Sequence, residues 1–138
     1  SLRLQWLQRL FTVGYELPSL IHPTSWVSPS SQLGFGSVVF AQSVIQAKAI
    51  IGSGAIINTS CSVDHDCFLG DGVHICPGVH LAGEVKVGDR SWIGIGASVI
   101  QQTSIGADVT VGAGAAVVRD LPDGVTAVGV PVRLLSSY

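Results

Sequence analysis

His65 stands between two carboxylates in the run Val63-Asp64-His65-Asp66-Cys67, the most polar interval of an otherwise aliphatic stretch. An imidazole beside a carboxylate is oriented and made more basic, which suits a general base acting on an amine or hydroxyl. Gly83 follows eighteen residues later, in Leu81-Ala82-Gly83-Glu84. An unobstructed glycine N–H next to such a base would steady an oxyanion, and base plus N–H is the pair that acyl transfer needs. A solvated polar corner is the competing reading of Asp-His-Asp. The choice depends on what an interval of eighteen means in this chain.

From Ile21 to Val117 an aliphatic residue falls at every sixth position without a miss. A second small or apolar residue comes four places later, as in Ser37, Ala49, Cys61 and Val73. Neither a helix nor a lone strand asks for a strict period of six. A short unit that buries its face only by stacking on copies of itself does. Gly34, Gly52, Gly70, Gly88 and Gly106 recur at intervals of eighteen, so three hexapeptides make one coil of a triangular parallel β-helix. Residues eighteen apart then lie over one another. Gly83 is therefore one strand spacing, about 4.8 Å, from His65.

The chain divides into an N-terminal helix and lead-in (1–20), the β-helix (21–122) and a C-terminal closing tail (123–138). In residues 2–13, Leu4, Leu7, Leu10 and Phe11 share one helical face, with Arg3, Gln5 and Arg9 off it and Gly14 suited to a C-cap. This helix is expected to cap the first coil or to pack on another subunit. A remnant of a preceding domain is the other reading.

The remaining polar residues are sparser. His74 and His80 are six apart and His65 and His74 nine apart, so these pairs fall on different sides of the triangle. No two histidines differ by eighteen, which speaks against a metal site within one chain. The Gly-x-Gly pairs recur with the coil and complete no dinucleotide fingerprint. Arg119 and Arg133, near the C-terminal end, would suit a ligand carrying phosphates at one end. Asp64, Asp66, Asp71 and Glu84 are read as one acidic cluster suited to a cationic acceptor.

A net charge of −2 leaves no footprint for nucleic acid. Polar and glycine residues interrupt every apolar run before it could span a membrane, and no secretion signal is visible. Three cysteines, an odd number, argue against a disulfide framework and for a reduced, cytoplasmic protein.

The hexapeptide array resembles the bacterial sugar O- and N-acetyltransferases. It shares Ile57-Asn58-Thr59-Ser60, His65-Asp66-Cys67, Leu69-Gly70-Asp71, Leu81-Ala82-Gly83 and the closing Gly129-Val130-Pro131. The group in view is the sialic acid O-acetyltransferase and UDP-4-amino-sugar N-acetyltransferase family. That resemblance, over about residues 15–135, implies a left-handed β-helix, a homotrimer and acetyl-CoA as co-substrate, with no metal.

It also implies roles. The general base falls on His65, the acid that tunes it on Asp66 and the oxyanion amide on Gly83. The CoA contacts fall on His74, Ile95 and Ala113, to which Arg119 is added. Asn58 and Asp64 are assigned to the acceptor. Family members usually begin with a sugar-nucleotide-binding domain, and only what looks like its last helix stands in this sequence.

The expected protein is an all-β acetyltransferase moving an acetyl group to an amine or hydroxyl of a sugar or sugar nucleotide. Its rivals are a non-catalytic β-helix scaffold and a zinc carbonic anhydrase of the same architecture.

Overall fold

A computed structural model describes residues 1–135; the last three residues of the expected tail lie outside the described residues. One helix, α1 (Leu2–Thr12), precedes a series of short strands that begins at Leu20–Ile21. Through Ala116–Val117 each strand is two residues long, and one falls in every hexapeptide. The first residue of each pair faces outward and the second inward. The inward residues are the sixth-position aliphatics of the sequence, and from Val39 to Val117 all are buried. Ile21 is 47% exposed because no coil lies beneath it.

The strands form three parallel sheets, pairing residues eighteen apart through Ala116–Val117 and sixteen apart on the last coil, where Ile105 pairs with Leu121 and Thr110 with Thr126. The first sheet runs from Leu20–Ile21 through Ile56–Ile57, His74–Ile75 and Trp92–Ile93 to Thr110–Val111. The second runs from Trp26–Val27 through His80–Leu81 to Ala116–Val117. The third runs from Gln32–Leu33 to Ser104–Ile105. At the C-terminal end Thr126–Val128 adds to the first sheet and Arg133–Leu134 pairs with it antiparallel. Buried Ala127 and Val132 close the core there.

Four serines in the small inward slot, Ser25, Ser37, Ser43 and Ser91, are satisfied by a repeated bond to the carbonyl fifteen residues on. Ser37 donates to Gly52 O at 2.8 Å, Ser43 to Asn58 O at 2.6 Å and Ser91 to Gly106 O at 2.7 Å. Cys61 and Cys67 do the same with weaker thiol donors, to Cys76 O and Ala82 O. A buried hydroxyl with a partner costs little, so serine and cysteine alternate with alanine in this slot. All three cysteines are buried free thiols, and burial pushes those of Cys67 and Cys76 up to about 11.

Each turn of the prism needs left-handed backbone at its corners, and these residues stack in three columns. Gly36, Gly54 and Gly72 (φ +62° to +67°) mark the corner between the third and first sheets. Gly78, Gly96 and Gly114 mark the corner between the first and second. Asp66, Glu84 and Gln102 hold the same conformation between the second and third.

The first of these columns is the track for α1, which lies along the side of the prism and not over the open first coil. Leu7 fills the space above Gly36 and Gly54, and Leu4 that above Gly54 and Gly72. A Cβ on Gly54 would come within 2.6 Å of Leu7. Phe11 stacks on Phe35 with ring centroids 5.5 Å apart. Arg3 also belongs to the docked face, against the sequence expectation, donating to Gly54 O at 2.7 Å and Gly72 O at 2.9 Å. Its long stem lets a cation reach carbonyls beside an apolar stripe. No helix of the described residues is long and apolar enough to cross a membrane.

Candidate active site

His65 occupies the corner between the second and third sheets. Its backbone N–H donates to Asp64 Oδ1 at 2.7 Å, which fixes the start of the turn. Nδ1 lies 2.9 Å from Asp66 Oδ2. That bond, against an opposing desolvation effect and with lesser help from the charges of Asp64, Asp66 and Glu84, holds the imidazole above its ordinary pKa. With Nδ1 donating to a carboxylate, Nε2 carries the lone pair.

Nε2 is turned toward Gly83 on the next coil: a Cβ on Gly83 would stand 2.5 Å from it. A side chain at position 83 would force the imidazole to move, so glycine keeps the ring in place through proximity and not through φ. Glu84 N–H donates to His65 O at 2.9 Å and Gln102 N–H to Gly83 O at 3.0 Å, tying three coils together at this corner. A groove of about 480 Å³ opens beside it, lined by Asp66, Glu84, Lys86, Gln102 and Ser104. The sequence drew no attention to Lys86 or Gln102 as neighbours of His65, although each follows from the same arithmetic of eighteen.

Asp71 does not belong to this acidic cluster. It lies at the corner between the third and first sheets, where its Oδ1 accepts Ser53 N–H at 2.7 Å. Asp89 accepts from Asp71 N–H in turn at 2.9 Å. These carboxylates staple coils together.

The other expected site residues fall in two places. Arg119 lies at the last corner between the second and third sheets, which is two residues shorter than those below it, since Val117 pairs eighteen residues back with Val99 but Leu121 only sixteen back with Ile105. With Arg133, Val118, Pro131, Val132 and Leu134 it lines a cavity of about 550 Å³. Its Nη2 donates to Val132 O at 3.3 Å.

Asn58, Ile95 and Ala113 occupy the corner between the first and second sheets, beside the Gly78–Gly96–Gly114 column. Nothing lies within 4 Å of a Cβ placed on Gly96 or Gly114. His74 is on the adjoining strand of the first sheet, with Nε2 3.4 Å from Asn58 Nδ2. The second sheet separates this group from His65 and Gly83, so a single prism does not bring the two groups together. Between them Ser62 Oγ and His80 Nδ1 make a 2.8 Å contact across coils.

No family model matches the sequence. Among solved structures, the chain is similar to the acetyltransferase domain of PglB from Neisseria gonorrhoeae, solved in complex with acetyl coenzyme A. Identity is 48% and the TM-score 0.96, covering 97% of this chain and 65% of that one. PerB from Caulobacter crescentus, solved with CoA and GDP-perosamine, is 49% identical with a TM-score of 0.97, covering 98% and 65%. WeeI from Acinetobacter baumannii is 29% identical with a TM-score of 0.93, covering 97% and 66%.

Fold and likeness together define the class: a left-handed β-helix of the hexapeptide-repeat kind found in sugar acetyltransferases. Within that class the chain resembles the acetyltransferase domain of PglB and the perosamine enzyme PerB, and it spans about 65% of the length of each.

Proposed function

We propose that this chain is the acetyl-transferring part of an enzyme that moves an acetyl group from acetyl-CoA to a sugar or sugar nucleotide. One observation carries the reading: an imidazole tied to a carboxylate through Nδ1 turns Nε2 onto a glycine backbone one coil away. The co-crystallised acetyl-CoA of PglB and the CoA and GDP-perosamine of PerB favour the same chemistry. PerB was also solved with one histidine replaced by asparagine, CoA and GDP-perosamine again bound.

His65 Nε2 takes the proton from an amine or hydroxyl as its nitrogen or oxygen bonds to the thioester carbonyl carbon. Gly83 N–H donates to the oxyanion that results. Collapse restores the carbonyl and breaks the C–S bond, and CoA leaves as the thiolate. Asp66 holds the ring and stabilises its protonated form.

Asp64, Asp66 and Glu84 favour a cationic amine acceptor at this corner, and Asn58 and Asp64 are assigned to acceptor binding. The Arg119–Arg133 cavity is assigned to the phosphate end of CoA, whose negative charge the acidic corner repels and the guanidiniums attract. His74, Ile95 and Ala113 are assigned to the rest of the CoA arm. They lie across the second sheet from His65, so a complete site needs two copies, and a homotrimer supplies three such sites. The three buried free thiols fit a cytoplasmic setting.

His65→Ala is expected to lower kcat/KM by about 10²–10⁴ while acetyl-CoA still binds. Full turnover by that variant would remove His65 from the role of base. Failure of the folded, unaltered chain to bind acetyl-CoA would favour the scaffold reading.

A further inference from the structure

His74 sits on the outer face of the first sheet, with Ile56 on one neighbouring strand and Trp92 on the other. Its ring meets Trp92 edge-on, centroids 6.4 Å apart. Asn58 Nδ2 lies 3.4 Å from Nε2, and the far end of the amide decides which way that contact runs. Asn58 Oδ1 accepts the backbone N–H of Thr59 at 2.8 Å and its hydroxyl at 3.4 Å. A backbone N–H can only donate, so the oxygen must face Thr59 and the amide nitrogen must face the imidazole. Nε2 then meets an N–H donor and must offer a lone pair. The ring proton is on Nδ1.

A second element acts in the same direction. Arg3 of α1 is held on the carbonyls of Gly54 and Gly72, the latter two residues before His74. Burial of the ring, and after it the charge of Arg3, hold His74 below its ordinary pKa. Ile56, Trp92 and Asn58 around it are uncharged, so among the described residues the charge acting on the ring comes from α1. Protonation of Nε2 would also set N–H against N–H at Asn58.

We propose that His74 is a neutral hydrogen-bond donor through Nδ1, locked in that tautomer by Asn58, and that Asn58 is thereby a positioning residue for an acceptor oxygen of the acyl donor, while Arg3 helps to keep the ring uncharged. The donor role rests on the assignment of His74 to the acetyl-CoA site; the tautomer does not. The two histidines divide the work. His65 spends its Nδ1–H on Asp66 and presents a base, whereas His74 spends its lone pair on Asn58 and presents a donor. Pairs of titratable groups whose surroundings drive them apart mark acid and base roles.

Long-range ¹H–¹⁵N correlation of the imidazole rings in the full chain tests the proposal, with resonances assigned through His→Gln variants. His74 is expected to show the Nδ1–H pattern and to titrate below 6.5. Arg3→Gln should raise that midpoint. Asn58→Asp, which turns the contact into an ion pair, should raise it further. An Nε2–H pattern overturns the lock, and a midpoint above 6.5, or one indifferent to Arg3→Gln, overturns the part assigned to Arg3.

Saturation with acetyl-CoA is expected to move the His74 Nδ1–H resonance. Binding that leaves this ring unmoved overturns the donor role alone. Absence of binding overturns the acetyl-CoA reading and the donor role with it, while the measured tautomer stands.

Discussion

At His65 one hydrogen bond does two opposing things. The bond to Asp66 orients the ring, and by favouring the imidazolium it also makes the neutral base scarcer in acid. A base acts only when deprotonated, so the rate should fall as pH drops through the His65 pKa, which lies above the ordinary 6.5. Asp66→Asn is expected to move this acidic limb of the pH–rate profile to lower pH while lowering the plateau. A limb that stays in place would mean that a group other than His65 controls it. Gly83→Ala places a methyl 2.5 Å from Nε2 and pushes the ring aside, and displacing a base by about 1 Å costs roughly 10²-fold in turnover. Steady-state kinetics with acetyl-CoA affinity measured alongside would separate that loss from misfolding.

Glycine columns of the same backbone conformation play different parts in the fold. Gly54 is needed twice, for φ +62° and because Leu7 and Leu4 press on its face. Gly96, at φ +68°, has open space before it. Gly96→Ala should therefore cost only the left-handed penalty, about 1–2 kcal/mol. Gly54→Ala should add an overpacking cost of about 1–3 kcal/mol and loosen α1. Thermal melting with hydrogen exchange on α1 reads both, and equal losses at the two sites would mean that α1 contributes nothing there.

This contrast also shows where the sequence stops being legible. The inward aliphatics announce the three sheets, because stacking makes each hexapeptide answer to the one eighteen residues away. Leu4 and Leu7 announce an apolar face but not its partner, since the glycines they cover recur with the coil for another reason. Arg3 reads as a solvent-facing cation until the carbonyls of Gly54 and Gly72 are seen beneath it.

The whole molecule splits its candidate site between two corners. His65 and Gly83 follow from one column and were legible by counting, whereas Arg119 stood out only as a cation near the C-terminal end. The contact of Asn58 with His74 spans sixteen residues and falls off that grid, because the two side chains reach toward each other from a corner and a strand. Convergence between copies leaves no spacing signal in a single chain. It has a test in mixing. His65→Ala and Ala113→Trp are each expected to abolish acetyl transfer by the proposed homotrimer, one at the base and the other at the CoA arm. Refolded together they should regain part of the activity, since some sites then combine His65 of one copy with Ala113 of another. Two inactive variants that stay inactive when mixed would place both residues in the same subunit's site.

From Ile21 to Val117 the coil is a measuring stick graduated in strand spacings. His65 and Gly83 are marks on one edge, one step apart, and Arg119 lies in the shortened corner beyond them. Duplicating eighteen residues between Gly83 and Arg119 would lengthen that interval by about 4.8 Å and leave every inward aliphatic in register. An insertion within a strand would turn the marks off the edge, whereas a corner absorbs a change of length, as the shortened corner between Val117 and Leu121 does while the sheets continue beyond it. Axial reach is therefore quantised: copying a coil resets it by one strand spacing, and a change in corner length leaves it where it was.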